Sequence, residues 1–121
     1  MSGGLDDLEK VSLLYDFYGS LLPAKQKEFL RLYHEENYSL AEIAEGYGLS
    51  RQGVYDAVHK AEDSLMNYES KLGLLSRHLD NRRLVDRIRH EISQVEEARA
   101  GDVQLGESLN TIAGLIEDLG V

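Results

Sequence analysis

The chain has 121 residues, 42% of them apolar, and carries 22 acidic against 13 basic side chains for a formal net charge of −9, which suits one globular unit plus an extension rather than two independent cores. It has no cysteine, so disulfides, thiolate metal sites and a cysteine nucleophile are excluded. No apolar run approaches the roughly 20 residues that span a bilayer, and no charged-then-apolar leader opens the chain, so the expectation is a soluble cytoplasmic protein without membrane insertion.

In chain order, Met1-Ser2-Gly3-Gly4 reads as a flexible start and stands outside the fold. A first helix is predicted over about Leu5 to Tyr18. Leu8, Val11, Leu14, Tyr15 and Tyr18 lie along one side, and Leu13 and Phe17 widen the stripe. Gly19-Ser20 ends it. Pro23 then sits at the first turn of a second helix running through Phe29, Leu32 and Tyr33, with Asn37 and Tyr38 as its exit.

Ser39 to Glu62, SLAEIAEGYGLSRQGVYDAVHKAE, predicts two helices joined by a tight glycine turn, a helix-turn-helix. Ser39 and Glu42 have capping-box spacing, so each can satisfy an exposed amide of the other. Ile43 and Ala44 face inward. Gly46 and Gly48 bracket Tyr47 where the chain reverses, and one of them is expected to take a positive φ. Leu49 is expected to plug the corner, and Ser50 to cap the next helix. Val54, Val58, Ala61 and Leu65 give that helix its apolar face, leaving Arg51, Gln52, Tyr55, His59 and Lys60 outward as the recognition surface.

Leu65, Leu72, Leu75 and Leu79 carry the helical pattern further, with Gly73 and the Asp80-Asn81 pair as candidate kinks. Leu84, Val85, Ile88, Ile92 and Val95 then form a seam that needs a fold-back or a partner to bury it. Gly101 breaks the helix. Leu105, Leu109, Ile112, Ile116 and Leu119 give the tail an amphipathic pattern, suited to docking intramolecularly or on a second subunit. With a single proline and no alternating stretch, the fold class is all-α. The organisation is a bundle over residues 1–70, a basic amphipathic helical extension over 71–100 and a short tail over 101–121.

Charge divides along the same lines. Residues 1–70 hold 13 acidic and 6 basic side chains, and residues 91–121 hold 7 and 1. Between them, Lys71, Arg77, Arg82, Arg83, Arg87 and Arg89 face only Asp80 and Asp86. Polyanion contact is therefore expected in the middle segment. On a helix, Arg83 and Arg87 fall on one flank of the apolar seam and Arg82 and Arg89 on the other. The second helix of the motif, by contrast, opposes Arg51 and Lys60 with Asp56, Glu62 and Asp63. Gln52 and Tyr55 have the chemistry to read base edges, but Asp56 between them repels phosphate.

Catalytic patterns are absent. His34, His59, His78 and His90 include no pair four apart, so no zinc site is expected. His34-Glu35-Glu36 reads as surface charge, and the glycines of the turn follow no strand and precede no Gly-Lys-Ser/Thr. Neither an enzyme nor a cofactor is expected.

PAKQKEFLRLYHEENYSLAEIAEGYGLSRQGVYDAVHKAE, about Leu22 to Leu65, resembles the region-four helix-turn-helix of bacterial sigma factors. A wider likeness, from about Val11 to Val95, takes in FYGSLLPAKQ, EIAE and SRQGVYD followed by a leucine-rich basic helix, and is similar to the YlxM family. That resemblance implies a small bacterial cytoplasmic regulator of the signal recognition particle pathway, whose gene commonly lies beside that of the particle's GTPase. Its implied partners are the particle's RNA and/or its GTPase or receptor. Gly53 departs from the alanine usual in such helices, and the tail after Arg99 shows no likeness. A DNA-binding transcriptional regulator reading the major groove through the recognition surface is the alternative, and a dimerisation module joined through the C-terminal helices is a third reading.

Overall fold

The computed structural model describes residues 7–121, and the expected flexible start and the Leu5 helix boundary lie outside them. Among the described residues six α-helices follow one another: α1 (Asp7–Tyr18), α2 (Ala24–His34), α3 (Leu40–Tyr47), α4 (Arg51–Leu72), α5 (Leu74–Ala98) and α6 (Val103–Glu117). A 3-10 turn, Gly19–Leu21, joins α1 to α2. No strand occurs among the described residues, and the fold is all-α as composition and periodicity indicate. The chain divides into two compact units, one ending at Leu75 and the other Ser76–Val121.

In the first unit α1, α2 and α3 all pack on α4. Val54, Val58, Ala61 and Leu65 are buried, at the spacing of four, three and four that keeps one helical face inward. Val11, Leu14 and Tyr18 of α1, Phe29 and Leu30 of α2, and Leu40, Ile43 and Ala44 of α3 join them in the core, together with Leu22 and Leu75. Fully burying each large member stabilises the fold by about 1.5–3 kcal/mol before entropy is counted. Leu8 does not join them. It is exposed, because its turn of α1 borders an open groove shared with Tyr33, Asn37 and Tyr38 rather than the face of α4.

The chain reversal is built from backbone bonds. Ser39 Oγ accepts from Glu42 N–H at 3.0 Å while Glu42 Oε1 accepts from Ser39 N–H at 2.9 Å. These bonds, the backbone one foremost, hold the Glu42 carboxyl below its usual range. At the other end of α3, Gly48 has φ +66°. Its N–H and that of Leu49 reach back to Glu45 O and Ala44 O at 3.4 and 2.9 Å, a Schellman closure. Leu49 does not plug the corner: it is 45% exposed, since the turn is closed by its backbone bonds and needs no side chain to fill it. A Cβ at Gly48 would meet nothing within 4 Å, so Gly48→Ala is expected to lose about 1–2 kcal/mol from the left-handed backbone alone. Gly46→Ala, in helical backbone and equally open space, is expected to gain about 0.5 kcal/mol; urea unfolding of the pair measures both.

Pro23 stands one place earlier than expected, as the N-cap of α2 rather than inside its first turn, with its carbonyl accepting from Lys27 N–H at 2.9 Å. Gly73 ends α4 outright, with φ +64° and its N–H on Glu69 O at 2.8 Å. The next two amides find side chains: Leu74 N–H donates to Tyr18 Oη at 3.0 Å and Leu75 N–H to Glu69 Oε1 at 3.0 Å. Tyr18 Oη in turn donates to Glu69 Oε1 at 2.6 Å. The first amides of α5, which have no partner inside the helix, are thus capped by residues of α1 and α4. Asp80-Asn81 does not interrupt α5; Asp80 instead holds Arg83 one turn on, at 2.8 Å.

In the second unit α6 runs back along α5. Gly101, φ +98°, makes the turn, and Asp102 caps α6 by accepting from Leu105 N–H at 3.0 Å. Glu117 lies 3.6 Å from Arg89, and Val85, Leu109 and Ile116 are buried. The tail thus contacts its own chain within this unit.

Candidate nucleic-acid and partner interfaces

α4 presents the recognition surface. Ser50 caps it by accepting from Gly53 N–H at 3.0 Å. A Cβ at Gly53 would stand 3.2 Å from that same Ser50 oxygen, a tight contact that gives glycine a local advantage here. Arg51, Gln52, Tyr55, His59 and Lys60 are all exposed. Gln52 Nε2 donates to Asp56 Oδ1 at 2.9 Å, and the Tyr55 and His59 rings lie 4.4 Å apart. Arg51 and Lys60 enter no ion pair among the described residues. Over α3 and α4 the acidic side chains outnumber the basic ones, so the reading head is not cationic.

The face is oriented by contacts the sequence concealed. His34 Nε2 lies 2.6 Å from Glu62 Oε2, with side-chain exposures of 12% and 19%, which joins the end of α2 to α4. His34 is therefore an interhelical partner and not surface charge, unlike Glu35 and Glu36. His59 Nδ1 approaches the other Glu62 oxygen at 4.0 Å. Tyr47 packs edge-on against Phe29, ring centroids 4.9 Å apart, and donates to Glu28 Oε2 at 3.0 Å. Bonds from Arg31 and then Tyr47 hold the Glu28 carboxyl below its usual range, and the Glu28 bond raises the Tyr47 hydroxyl. No signal at fixed sequence spacing could have revealed His34–Glu62 or Tyr47–Glu28, because both depend on the angle between helices.

The basic segment is distributed differently from the expectation in one respect. Lys71 is in the last turn of α4, before the Gly73 break, while Arg77, Arg82, Arg83, Arg87 and Arg89 are on α5. Arg83 is tied to Asp80 and Arg89 lies near Glu117; Arg77, Arg82 and Arg87 have no ion pair among the described residues. Both pairs are exposed, where such contacts are worth at most about 1 kcal/mol and yield readily to a competing phosphate. His78, Arg82, Val85, Asp86 and Arg89 share one side of α5 and, with Gly120 and Val121, line an open groove of about 460 Å³. The seam also divides. Val85 is buried and Ile92 half-buried, while Leu84, Ile88 and Val95 stay exposed. No group of three metal-ligating side chains and no helix able to cross a membrane occurs among the described residues.

This arrangement coincides with a known family. Residues 5–103 match a family model described as "Putative helix-turn-helix protein, YlxM / p13 like", UPF0122. The chain belongs to the UPF0122 family. It is similar to the UPF0122 protein of Thermoanaerobacter sp. (strain X514), 43% identical over 116 residues, 96% of this chain and 98% of that protein. It is also similar to those of Caldanaerobacter subterraneus subsp. tengcongensis, 50% identical over 84 residues, 69% of this chain and 72% of that one, and Bacillus thuringiensis (strain Al Hakam), 37% over 108 residues, 89% and 98%. The UPF0122 match runs through α1 to α5 and stops at the first residue of α6. The Thermoanaerobacter likeness nonetheless covers 96% of the chain, so the tail, which shows no likeness by its motifs, has a counterpart in at least one UPF0122 relative.

Proposed function

We propose that this UPF0122 protein is a non-enzymatic regulatory adaptor of the bacterial cytoplasm, serving the signal recognition particle pathway. In this reading the first two-thirds of α5 touches the particle's RNA, and the helix-turn-helix face meets a protein, the particle's GTPase or receptor. The exposed Leu84, Ile88 and Val95 then serve self-association or a further partner contact.

One observation carries the RNA clause. α5 has no acidic residue in its first turn and no basic one in its last; its arginines lie between Arg77 and Arg89, and Glu91, Glu96 and Glu97 close it. That order opposes the helix macrodipole, which favours acids at the start and bases at the end. Helix stability does not account for it, whereas a polyanion ligand does. Arginine suits RNA because its fork pairs with phosphate and its plane stacks on bases.

The test is binding of the particle's RNA at two salt concentrations. Three phosphate contacts to single-stranded segments predict about a 20-fold loss between 50 and 200 mM salt. Replacing Arg77, Arg82 and Arg87 by glutamate is expected to abolish both the affinity and its salt dependence; undiminished binding removes the RNA clause. The intact motif, with Gln52 and Tyr55 exposed at the start of α4, favours a second reading, a DNA-binding regulator. A sequence motif selected from a random duplex library, lost with Gln52→Ala, would establish that reading instead.

A further inference from the structure

α4 is unpartnered on one side, and that side is not the one a duplex would choose. Projected at about 100° per residue, Gln52, Tyr55, Asp56, His59, Asp63 and Met66 fall within a strip about 100° wide, while Arg51 and Lys60 fall on its two opposite edges. Tyr55 is 40% and Met66 46% exposed, with the His59 ring 4.4 Å from that of Tyr55 and tilted 47° to it, so a largely apolar ridge runs along the strip. Asp56 and Asp63 flank it, about 10 Å apart along the axis. Among the described residues Asp56 is engaged only by the neutral Gln52 amide, and Asp63 enters no ion pair. The remaining acid of the helix's middle, Glu62, is turned inward to His34.

A phosphate backbone laid on this strip meets carboxylates first and cations only at the margins, which is the reverse of a duplex-binding face. Exposed aromatic and thioether side chains with acids beside them match the opposite chemistry: apolar residues to cover the ridge, and ammonium or guanidinium groups to meet Asp56 and Asp63. We propose that the outward strip of α4 is the docking surface for a lysine- or arginine-rich amphipathic segment of a partner protein. The proposal rests on the reading that the helix-turn-helix face meets protein, and specifies the chemistry of what it meets.

The experiment titrates the ¹⁵N-labelled full chain with an 18-residue peptide of lysine and leucine at helical spacing, with the same peptide carrying glutamate for lysine, with a 16-base-pair duplex, and with the particle's RNA. The lysine peptide is expected to shift the amides from Gln52 to Met66, and the glutamate peptide and the duplex to leave them unmoved. Changing Asp56 and Asp63 together to lysine, or Tyr55 and Met66 together to serine, is expected to weaken the peptide at least tenfold. All four side chains are exposed, so the spectrum elsewhere should be unchanged. Shifts spread equally over the acids of α5, undiminished binding by either double variant, or a duplex that moves the strip would overturn the proposal. The RNA arm reports separately on α5: RNA shifts without peptide shifts remove this proposal alone, and the converse removes the RNA clause alone.

Discussion

Leu65→Ala is expected to lower the unfolding free energy by about 4 kcal/mol, the upper part of the range for a leucine truncated in a closed core. Leu65 is 0% exposed, as are Val54 and Ala61 on the same face of α4 and Leu14 on α1. Surroundings packed from several helices have little freedom to collapse into the vacated space. Domains of this size hold about 5–15 kcal/mol in total, so the loss is a large fraction, and the thermal midpoint should fall by about 15 °C. The matched control is Leu72→Ala, six residues beyond Met66 on the same helix but exposed, which should change stability by no more than about 0.5 kcal/mol. Calorimetry on the two variants measures the difference. Equal effects would mean that α4 is not the helix around which the first unit is organised.

Tyr18→Phe should cost about 3 kcal/mol although it removes a single oxygen. Tyr18 is 1% exposed, and its hydroxyl both donates to Glu69 at 2.6 Å and accepts from Leu74 N–H at 3.0 Å. Its loss strands an amide and withdraws a donor from a carboxylate, and such deficits cost more than a matched bond contributes. Glu69→Gln keeps an oxygen to accept from both Tyr18 and Leu75 and should cost about 1 kcal/mol, the charge-assisted part of the bond. Urea unfolding of the two separates the contributions. Burial, and then the Glu69 bond, raise the Tyr18 hydroxyl above its ordinary value. A hydroxyl raised in the folded state supports folding fully below the unfolded value near 10, and that support drains away as pH climbs through the folded value. The wild type should therefore lose stability above about pH 10, and Tyr18→Phe should do so less steeply.

The parts of the fold legible in the sequence are those fixed by local chemistry. The Ser39–Glu42 box, the Ser50 cap, the positive φ of Gly48 and the four inward positions of α4 each follow from a few adjacent residues, and each stands where expected. The errors lie where tertiary packing decides. Leu8 has the right periodicity but sits at a turn of α1 that reaches only an open groove. Leu49 has the right character but occupies a turn already closed by its backbone. Helical projection places Arg82 and Arg89 together, and they do share one groove. It could not show that Asp80 holds Arg83 or that Glu117, 28 positions along, returns to Arg89. His34 was indistinguishable from its acidic neighbours until α2 met α4. The candidate surfaces were thus legible as lists of outward residues, and their internal pairing was not.

The capping of Leu74 and Leu75 by Tyr18 and Glu69 bears on the order in which the chain acquires structure during synthesis. Both capping side chains leave the ribosome before the amides they receive, and chains fold largely as they emerge. The longest helix of the protein therefore meets its nucleating contacts ready-made at its first residues, and can grow away from an anchored end instead of having to initiate in open solvent.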